Sequence, residues 1–205
     1  MKKLILFDFD GVLFNSKKNM EIAWNKVMKK FKIKKNFSHY EKFIGLPFKK
    51  ILINLKIKSN HQQIENYYQI NSIKYLEKIK PYKGVLQTLK KNDTRKYILG
   101  IWTSKHRIRV NKILKKYKLK FKIILTPSKK IKGKPHPDQI KLCSKRLKIL
   151  RKNIVYVGDM NVDKIAARNS KIHFIFASYG FGFIKDKNIT KKNQFNKIYS
   201  IVERF

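Results

Sequence analysis

Two carboxylates stand two residues apart at the end of an apolar run near the N-terminus: Asp8 and Asp10 in LILFDFDGVLF, residues 4–14. They are scarce, since the 205 residues include 12 acidic side chains against 51 Lys and Arg. Acids at the end of a buried strand are costly without a cation beside them. Such a pair can supply a nucleophile, a general acid/base and oxygen ligands for a hard divalent ion. Other side chains with similar potential follow in order. Thr103 and Ser104 come after YILGIW (97–102), and Lys134 lies in GKPHPD, after KIILT (122–126). Asp159 and Asp163 fall in or just past NIVYVG (153–158) and DMNVD. A single polar residue at a strand end is often only a cap or turn. Four in succession are harder to explain as structure, because ligands of open α/β sheets bind beyond the carboxyl ends of the strands.

The elements that must position these residues are legible as a change of period. KLILFDF (3–9) is apolar without alternation, as in a buried parallel strand, and 97–102, 122–126, 153–158 and KIHFIFA (171–177) read likewise. Met20, Trp24, Val27, Met28 and Phe31 repeat at helical spacing, with Ser16 as the expected N-cap. After IGLP (44–47), Phe48, Ile51, Leu52 and Leu55 predict a second helix, and a third is expected over about 60–79, before Pro81. Helices are also expected over 85–89, 107–117, 138–147, 162–168 and, in the tail, 195–202. Strands alternating with helices mean an α/β fold with a Rossmann-like parallel sheet. The all-helical stretch interrupts that alternation. The expected organisation is therefore a core of 1–15 and 81–205 with a small helical domain, 16–80, inserted after the first strand. The first and fourth apolar runs should lie side by side, bringing Asp8 near Asp159.

Composition narrows the class. Hydrophobic residues make up 42%, enough for a real core, and five Pro and eight Gly are too few for a disordered chain. Cys143 is the one cysteine, so no intramolecular disulfide forms, which suits a reducing compartment. The start MKKLILF is too short in apolar length for a secretory signal. No segment approaches the ~20 apolar residues of a membrane span. A soluble cytoplasmic protein, monomer or homodimer, with no membrane partner is expected. The net charge of +39 invites a nucleic-acid partner, but only seven of the 51 basic residues are Arg, and the Lys are scattered through every segment. That pattern reads as compositional rather than as a nucleic-acid surface.

The chain resembles the haloacid dehalogenase superfamily. The matching residues are DFDGV at 8–12, Thr103 or Ser104 after a hydrophobic strand, Lys134 before Pro135, and GDMNVD at 158–163, of the form GDxxxD. SYGFG (178–182) is similar to a loop after the fifth strand. The helical insertion looks like a C1-type cap, and IGLP is similar to the cap of the phosphoglycolate phosphatase-like branch. The resemblance implies Asp8 as nucleophile, forming an aspartyl-phosphate, and Asp10 as general acid/base. It implies Mg²⁺ held by Asp8, Asp159 and the backbone carbonyl of Asp10, with Asp163 orienting metal waters or holding Lys134. Lys134 would offset the charge of Asp8 and the phosphoryl group, and Thr103, with Ser104 beside it, would hold a phosphoryl oxygen. Gly45, Leu46, Pro47, Lys49 and Lys50 are the candidate substrate-facing residues of the cap.

Asp10 also excludes. Dehalogenase and phosphonatase branches of the family lack an acid there. A phosphatase acting on a small phosphorylated metabolite is the favoured expectation, since water is the default acceptor. A phosphomutase resembling β-phosphoglucomutase uses the same Asp pair and stays open. A non-catalytic basic protein, or a phosphatase of nucleic-acid ends, is a further alternative. Asn15 departs from the pattern, since many relatives carry an acid there, so no close substrate family is assigned.

Overall fold

Unbroken apolar runs form strands buried on both faces, and the remaining periodic segments wrap them. The computed structural model describes residues 3–58, 60–90, 97–128 and 130–182, together with 194, 195, 197 and 200. In chain order the elements are β1 Lys3–Phe7, β2 Phe14–Asn15, α1 Lys17–Phe31, α2 Phe37–Glu41, α3 Phe48–Asn54, α4 His61–Lys74, β3 Lys80–Pro81 and α5 Val85–Lys90. They continue as β4 Tyr97–Trp102, α6 Arg107–Lys116, β5 Ile123–Leu125, α7 Asp138–Leu147, β6 Ile154–Gly158, α8 Asn161–Ser170, β7 His173–Ala177 and β8 Gln194–Phe195.

Six strands form one sheet in the order β5-β4-β1-β6-β7-β8, every described pairing parallel. β1 pairs with β4 on one side and β6 on the other, so the strand order reverses at β1. The expected neighbourhood of the first and fourth apolar runs is therefore observed. Such a reversal opens a crevice at the carboxyl ends, where Asp8 and Asp159 stand.

The side-chain period of two splits the sheet into two faces. Ile5 and Phe7 pack with Leu99, Ile101, Val155 and Val157 under Val85 of α5 and Val110, Ile113 and Leu114 of α6. Leu4 and Leu6 pack on the other face with Trp102, Ile154 and Tyr156, under Ile140 and Cys143 of α7 and Ala166 and Ala167 of α8. Cys143 is thus a core residue. At about 25 cal/mol per Å² of apolar surface, these two layers supply the rigidity that the strand ends need.

Helices α1 to α4 bury a third cluster of their own, built from Met20, Trp24, Val27, Tyr40, Leu52, Ile64 and Tyr68, with Met160 and Phe181 of the sheet region packed against it. Antiparallel β2 and β3 pair Phe14 with Pro81 and Asn15 with Lys80. They tie the two points where the chain leaves and re-enters the sheet region.

Three expectations change, and two short features join the expected ones. Ser16 stands at the α1 N-cap position but its oxygen accepts no cap bond; the side chain is turned to donate to Asp10 Oδ1, at 2.6 Å. The third helix gives way after Lys74 to a 3-10 turn at Leu76–Lys78. Two short elements, α2 and the β2–β3 pair, carry too few residues to show a period. Phe195, expected to open a helix, lies in β8, and 196, 198, 199, 201 and 202 of that stretch fall outside the described residues.

Candidate active site

The end of β1 fixes the first acid. The Asp8 amide donates to Val157 O at 2.8 Å, which continues the β1–β6 ladder one residue past the strand. Asp8 is 2% exposed. Its Oδ1 accepts from the Phe9 amide at 2.7 Å and lies 3.2 Å from Lys134 Nζ. The chain then turns at Gly11, whose φ is +87°, and a Cβ there would fall on the Asp159 carboxylate. Asp10, just before that turn, is pinned by charge. Lys105 Nζ lies 2.9 and 3.2 Å from its two carboxylate oxygens, and the Ser16 hydroxyl completes the set.

Lys134 reaches in from the loop before α7. It is 3% exposed and donates to Asp163 Oδ1 at 2.7 Å and to Tyr156 Oη at 2.8 Å. Asp163, in the first turn of α8, accepts on Oδ2 from the amides of Asp159 and Met160, at 3.2 and 3.0 Å. Its oxygens thus hold Lys134 and close the helix N-terminus together. Asp159 lies one residue past β6 and is fully buried. Its Oδ2 accepts from the Phe181 amide at 2.7 Å, in the SYGFG loop.

Carboxylate oxygens of Asp8, Asp159 and Asp163 lie within 4.8 Å of one another. Burial raises the Asp8 pKa to about 7, helped by Asp163 and Asp10, while Lys134 and the Phe9 amide pull it down. Burial, then Asp163 and Asp8, push Asp159 well above the ordinary carboxylate range. Lys134 stays protonated: burial opposes its charge, but Asp163 and Asp8 outweigh it and hold its pKa above the usual lysine value. One lysine among three buried acids leaves negative charge uncompensated. Asp159 Oδ1, buried, has no hydrogen-bond partner among the described residues. An all-oxygen cluster with an orphaned buried oxygen fits a hard divalent cation.

Thr103 ends β4. Its amide donates to Leu125 O at 3.0 Å, and its Oγ1 accepts from the Lys105 amide at 3.2 Å. Ser104 donates to Gly45 O at 2.7 Å, a direct bond from the sheet region to the helical segment. Between them lies a small cavity of about 40 Å³ lined by Asp8, Asp10, Tyr40, Phe48, Tyr68, Thr103, Lys105 and Arg109, among others. That is room for one or two waters.

The structure brings Asp8, Asp10, Thr103, Ser104, Lys134, Asp159 and Asp163 to one place, with Gly45 on the cavity wall. It does not bring the rest of the cap candidates there. Leu46 packs in the helical cluster, and Lys49 and Lys50 are exposed on α3. Sequence reasoning missed Lys105, Arg109, Tyr40, Tyr68 and Phe48. Lys105 sits in the same strand-end segment as Thr103, but one lysine is inconspicuous in so lysine-rich a chain.

A family description, haloacid dehalogenase-like hydrolase, matches residues 5–177. The chain belongs to that family. It is similar to the pyrophosphatase PpaX of Oceanobacillus iheyensis, 23% identical over 92% of this chain and 88% of the relative. The PpaX of Anoxybacillus flavithermus is 27% identical over 81% of this chain and 79% of that protein. Among solved structures, a candidate phosphoglycolate phosphatase of Lactobacillus plantarum superposes with a TM-score of 0.87, 20% identity and full coverage of both chains. A predicted phosphatase of Clostridium acetobutylicum gives 0.81 and 25% identity over 100% of this chain and 98% of that one. The haloacid dehalogenase-like hydrolase fold is thus shared across the sheet and the helical segment. Among the described residues no helix is long and apolar enough to cross a membrane.

Proposed function

We propose that this hydrolase is a Mg²⁺-dependent phosphatase that cleaves a small phosphorylated metabolite through an aspartyl-phosphate on Asp8. The observation that carries the reading is the division of labour between two acids two residues apart. Asp8 is buried against Lys134 and the acidic cluster, whereas Asp10 stands apart from it, held by Lys105 and Ser16. One environment suits a nucleophile and the other a proton carrier. The names of the relatives, pyrophosphatase and phosphatase, support phosphoryl chemistry.

In the first half-reaction an Asp8 oxygen bonds to phosphorus as the bond from phosphorus to the leaving oxygen breaks. Asp10 gives that oxygen its proton. In the second, a water attacks the aspartyl-phosphate and passes a proton to Asp10; the bond to Asp8 breaks and phosphate leaves. Lys134 offsets the charge of Asp8 and the phosphoryl oxygens, and Thr103 holds one of those oxygens. Lys105 keeps the Asp10 carboxyl aimed into the cavity. Asp8, Asp159 and the Asp10 carbonyl would hold the cation, with Asp163 behind them fixing Lys134. When bound, the ion supplies Lewis-acid charge for a phosphoryl group entering an acidic site. The helical segment, 16–80, serves as a cap over the core of 1–15 and 81–205, excluding water while the intermediate forms.

Phosphate release from a panel of small phosphorylated compounds, with Mg²⁺, with EDTA and with Asp8→Asn, tests the reading. Release by wild type alone, lost with EDTA and reduced on the order of 10⁴-fold or more by Asp8→Asn, is expected. A folded wild type that releases no phosphate from any compound would overturn it.

A further inference from the structure

The phosphatase chemistry leaves one buried cation unused. Arg109, on α6, is 6% exposed. No carboxylate pairs with it among the described residues; its Nη1 donates to Ser72 Oγ at 2.9 Å, and the guanidinium lies 5.6 Å from the centre of the Tyr68 ring. Its Nε is buried with no hydrogen-bond partner among the described residues. A buried guanidinium that serves only the fold is normally paired with an acid and has its donors satisfied. This one lacks both and lines the cavity that also holds Asp8, Asp10 and Lys105. An unpaired cation with a free donor, facing a reaction site, is a receptor for an anion.

The surroundings agree on size and polarity. Tyr40 and Tyr68 line the same cavity, and one hydroxyl donates to the other at 3.1 Å. The pair therefore shares one bond and retains one proton to give to an oxygen. Asp8 and Arg109 line the same cavity, so a second anion held at Arg109 lies only a few atoms from the reacting phosphoryl. The lysines that could have met a second anion from the helical segment, Lys49 and Lys50, are exposed to solvent.

We propose that Arg109, with the Tyr40–Tyr68 pair, is a second anion subsite that sets specificity. The substrates it selects are compact molecules carrying two anionic groups: the reacting phosphoryl and, a few atoms away, a phosphate or a carboxylate. The proposal rests on the phosphatase reading for what happens at Asp8, but the binding it describes does not require turnover. It also places the charged specificity determinant on α6 of the sheet region, with the two tyrosines supplied by α2 and α4 of the helical segment.

The test compares wild type, Arg109→Gln and Arg109→Lys on three compact substrates: inorganic pyrophosphate, 2-phosphoglycolate and, as a control with no second anion, acetyl phosphate. Wild type should prefer at least one of the first two, and which one identifies the second group as phosphate or carboxylate. Arg109→Gln should reduce kcat/KM for the preferred substrate at least ten times more than for acetyl phosphate, chiefly through KM. Arg109→Lys keeps the charge without the planar fork and should show a smaller loss with the same selectivity; it carries the comparison should the Gln variant not fold. Equal losses on all three substrates, or no preference in wild type, would overturn the subsite. Calorimetric titration of Asp8→Asn protein with methylenediphosphonate against inorganic phosphate separates the two proposals. Tighter binding of the diphosphonate that Arg109→Gln abolishes, together with a wild type that releases no phosphate, would uphold the subsite and sink the reaction. Activity with no difference between the two anions would do the reverse.

Discussion

Lys105 and Asp10 form the pair on which proton transfer depends. Burial lowers the Lys105 pKa to about 8, against the pull of Asp10, so the ammonium is retained at neutral pH and surrendered just above it. Lys105→Met should lower kcat by roughly 10- to 100-fold, the worth of one charge-assisted hydrogen bond, measured as steady-state phosphate release on the best substrate. Wild-type kcat should also decline as pH rises past about 8, a limb absent from Lys105→Met. The acidic cluster carries a different signature. Burial raises the folded-state pKa of Asp8 from 3.8 to about 7. Between those values the folded chain binds a proton that the unfolded chain has released, so stability falls as pH rises through that window. Without a divalent ion the protein should therefore melt at lower temperature near pH 8 than near pH 5 as far as this group decides. Mg²⁺ should raise Tm more at pH 8, where the acids it binds are ionised. Thermal melts at both values, with EDTA and with Mg²⁺, read this directly; an equal Mg²⁺ shift at both would refute it. The site's acids were legible in sequence because acids are rare in this chain. Its lysine and arginine were not, since nothing local separates Lys105 from its many neighbours of the same type. Arg109 becomes conspicuous only when its lack of an acid partner is seen.

The elements show how far a periodic pattern reaches. β4 and α7 begin and end where the sequence reading put them, because long apolar runs and capped helices are specified by many residues at once. β2 and β3 have two residues each. Their pairing is a consequence of the chain returning beside its own exit, which a local window does not contain. Ser16 misled for a physical reason: the residue type that caps a helix by accepting from an amide can also donate its hydroxyl, and here the side chain is turned to donate to the Asp10 carboxylate. Helix ends hold a testable feature of their own. Lys32, Lys148 and Lys171 close α1, α7 and α8 in the left-handed region, with φ between 53° and 54° for the last two and 52° for Lys32. Glycine is usual there, since a Cβ adds strain of roughly 1 kcal/mol. Lys32, exposed and distant from the cavity lining, is the clean position. Lys32→Gly should raise stability by about 0.5 kcal/mol once the entropy glycine adds to the unfolded chain is subtracted, or ~1–2 °C in Tm, with kcat unaltered. A lower Tm would mean that the Lys32 side chain contributes more than its backbone strain removes.

At the scale of the whole molecule, charge and enclosure act on different steps. The chain carries +39, so an anionic substrate approaches down a favourable field whose range is set by salt, ~30 Å at 0.01 M and ~8 Å at 0.15 M. Once inside, it meets groups already screened from solvent: Asp8, Thr103, Lys105 and Lys134 are each 3% exposed or less. The Ser104 bond to Gly45 O ties the helical segment to the sheet region beside the cavity, so separation of the two would widen the way in. The β2–β3 pair, where both crossings lie together, is the natural pivot. Salt should consequently weaken encounter and spare the enclosed step. Raising ionic strength from about 20 to 300 mM should lower kcat/KM about threefold or more while kcat changes much less. Steady-state kinetics on the best anionic substrate, with an uncharged osmolyte as control, measure both constants. A parallel fall in kcat would mean that salt reaches the closed site or disturbs closure itself. An unchanged kcat/KM would mean that the scattered lysines give the protein its charge without steering its substrate.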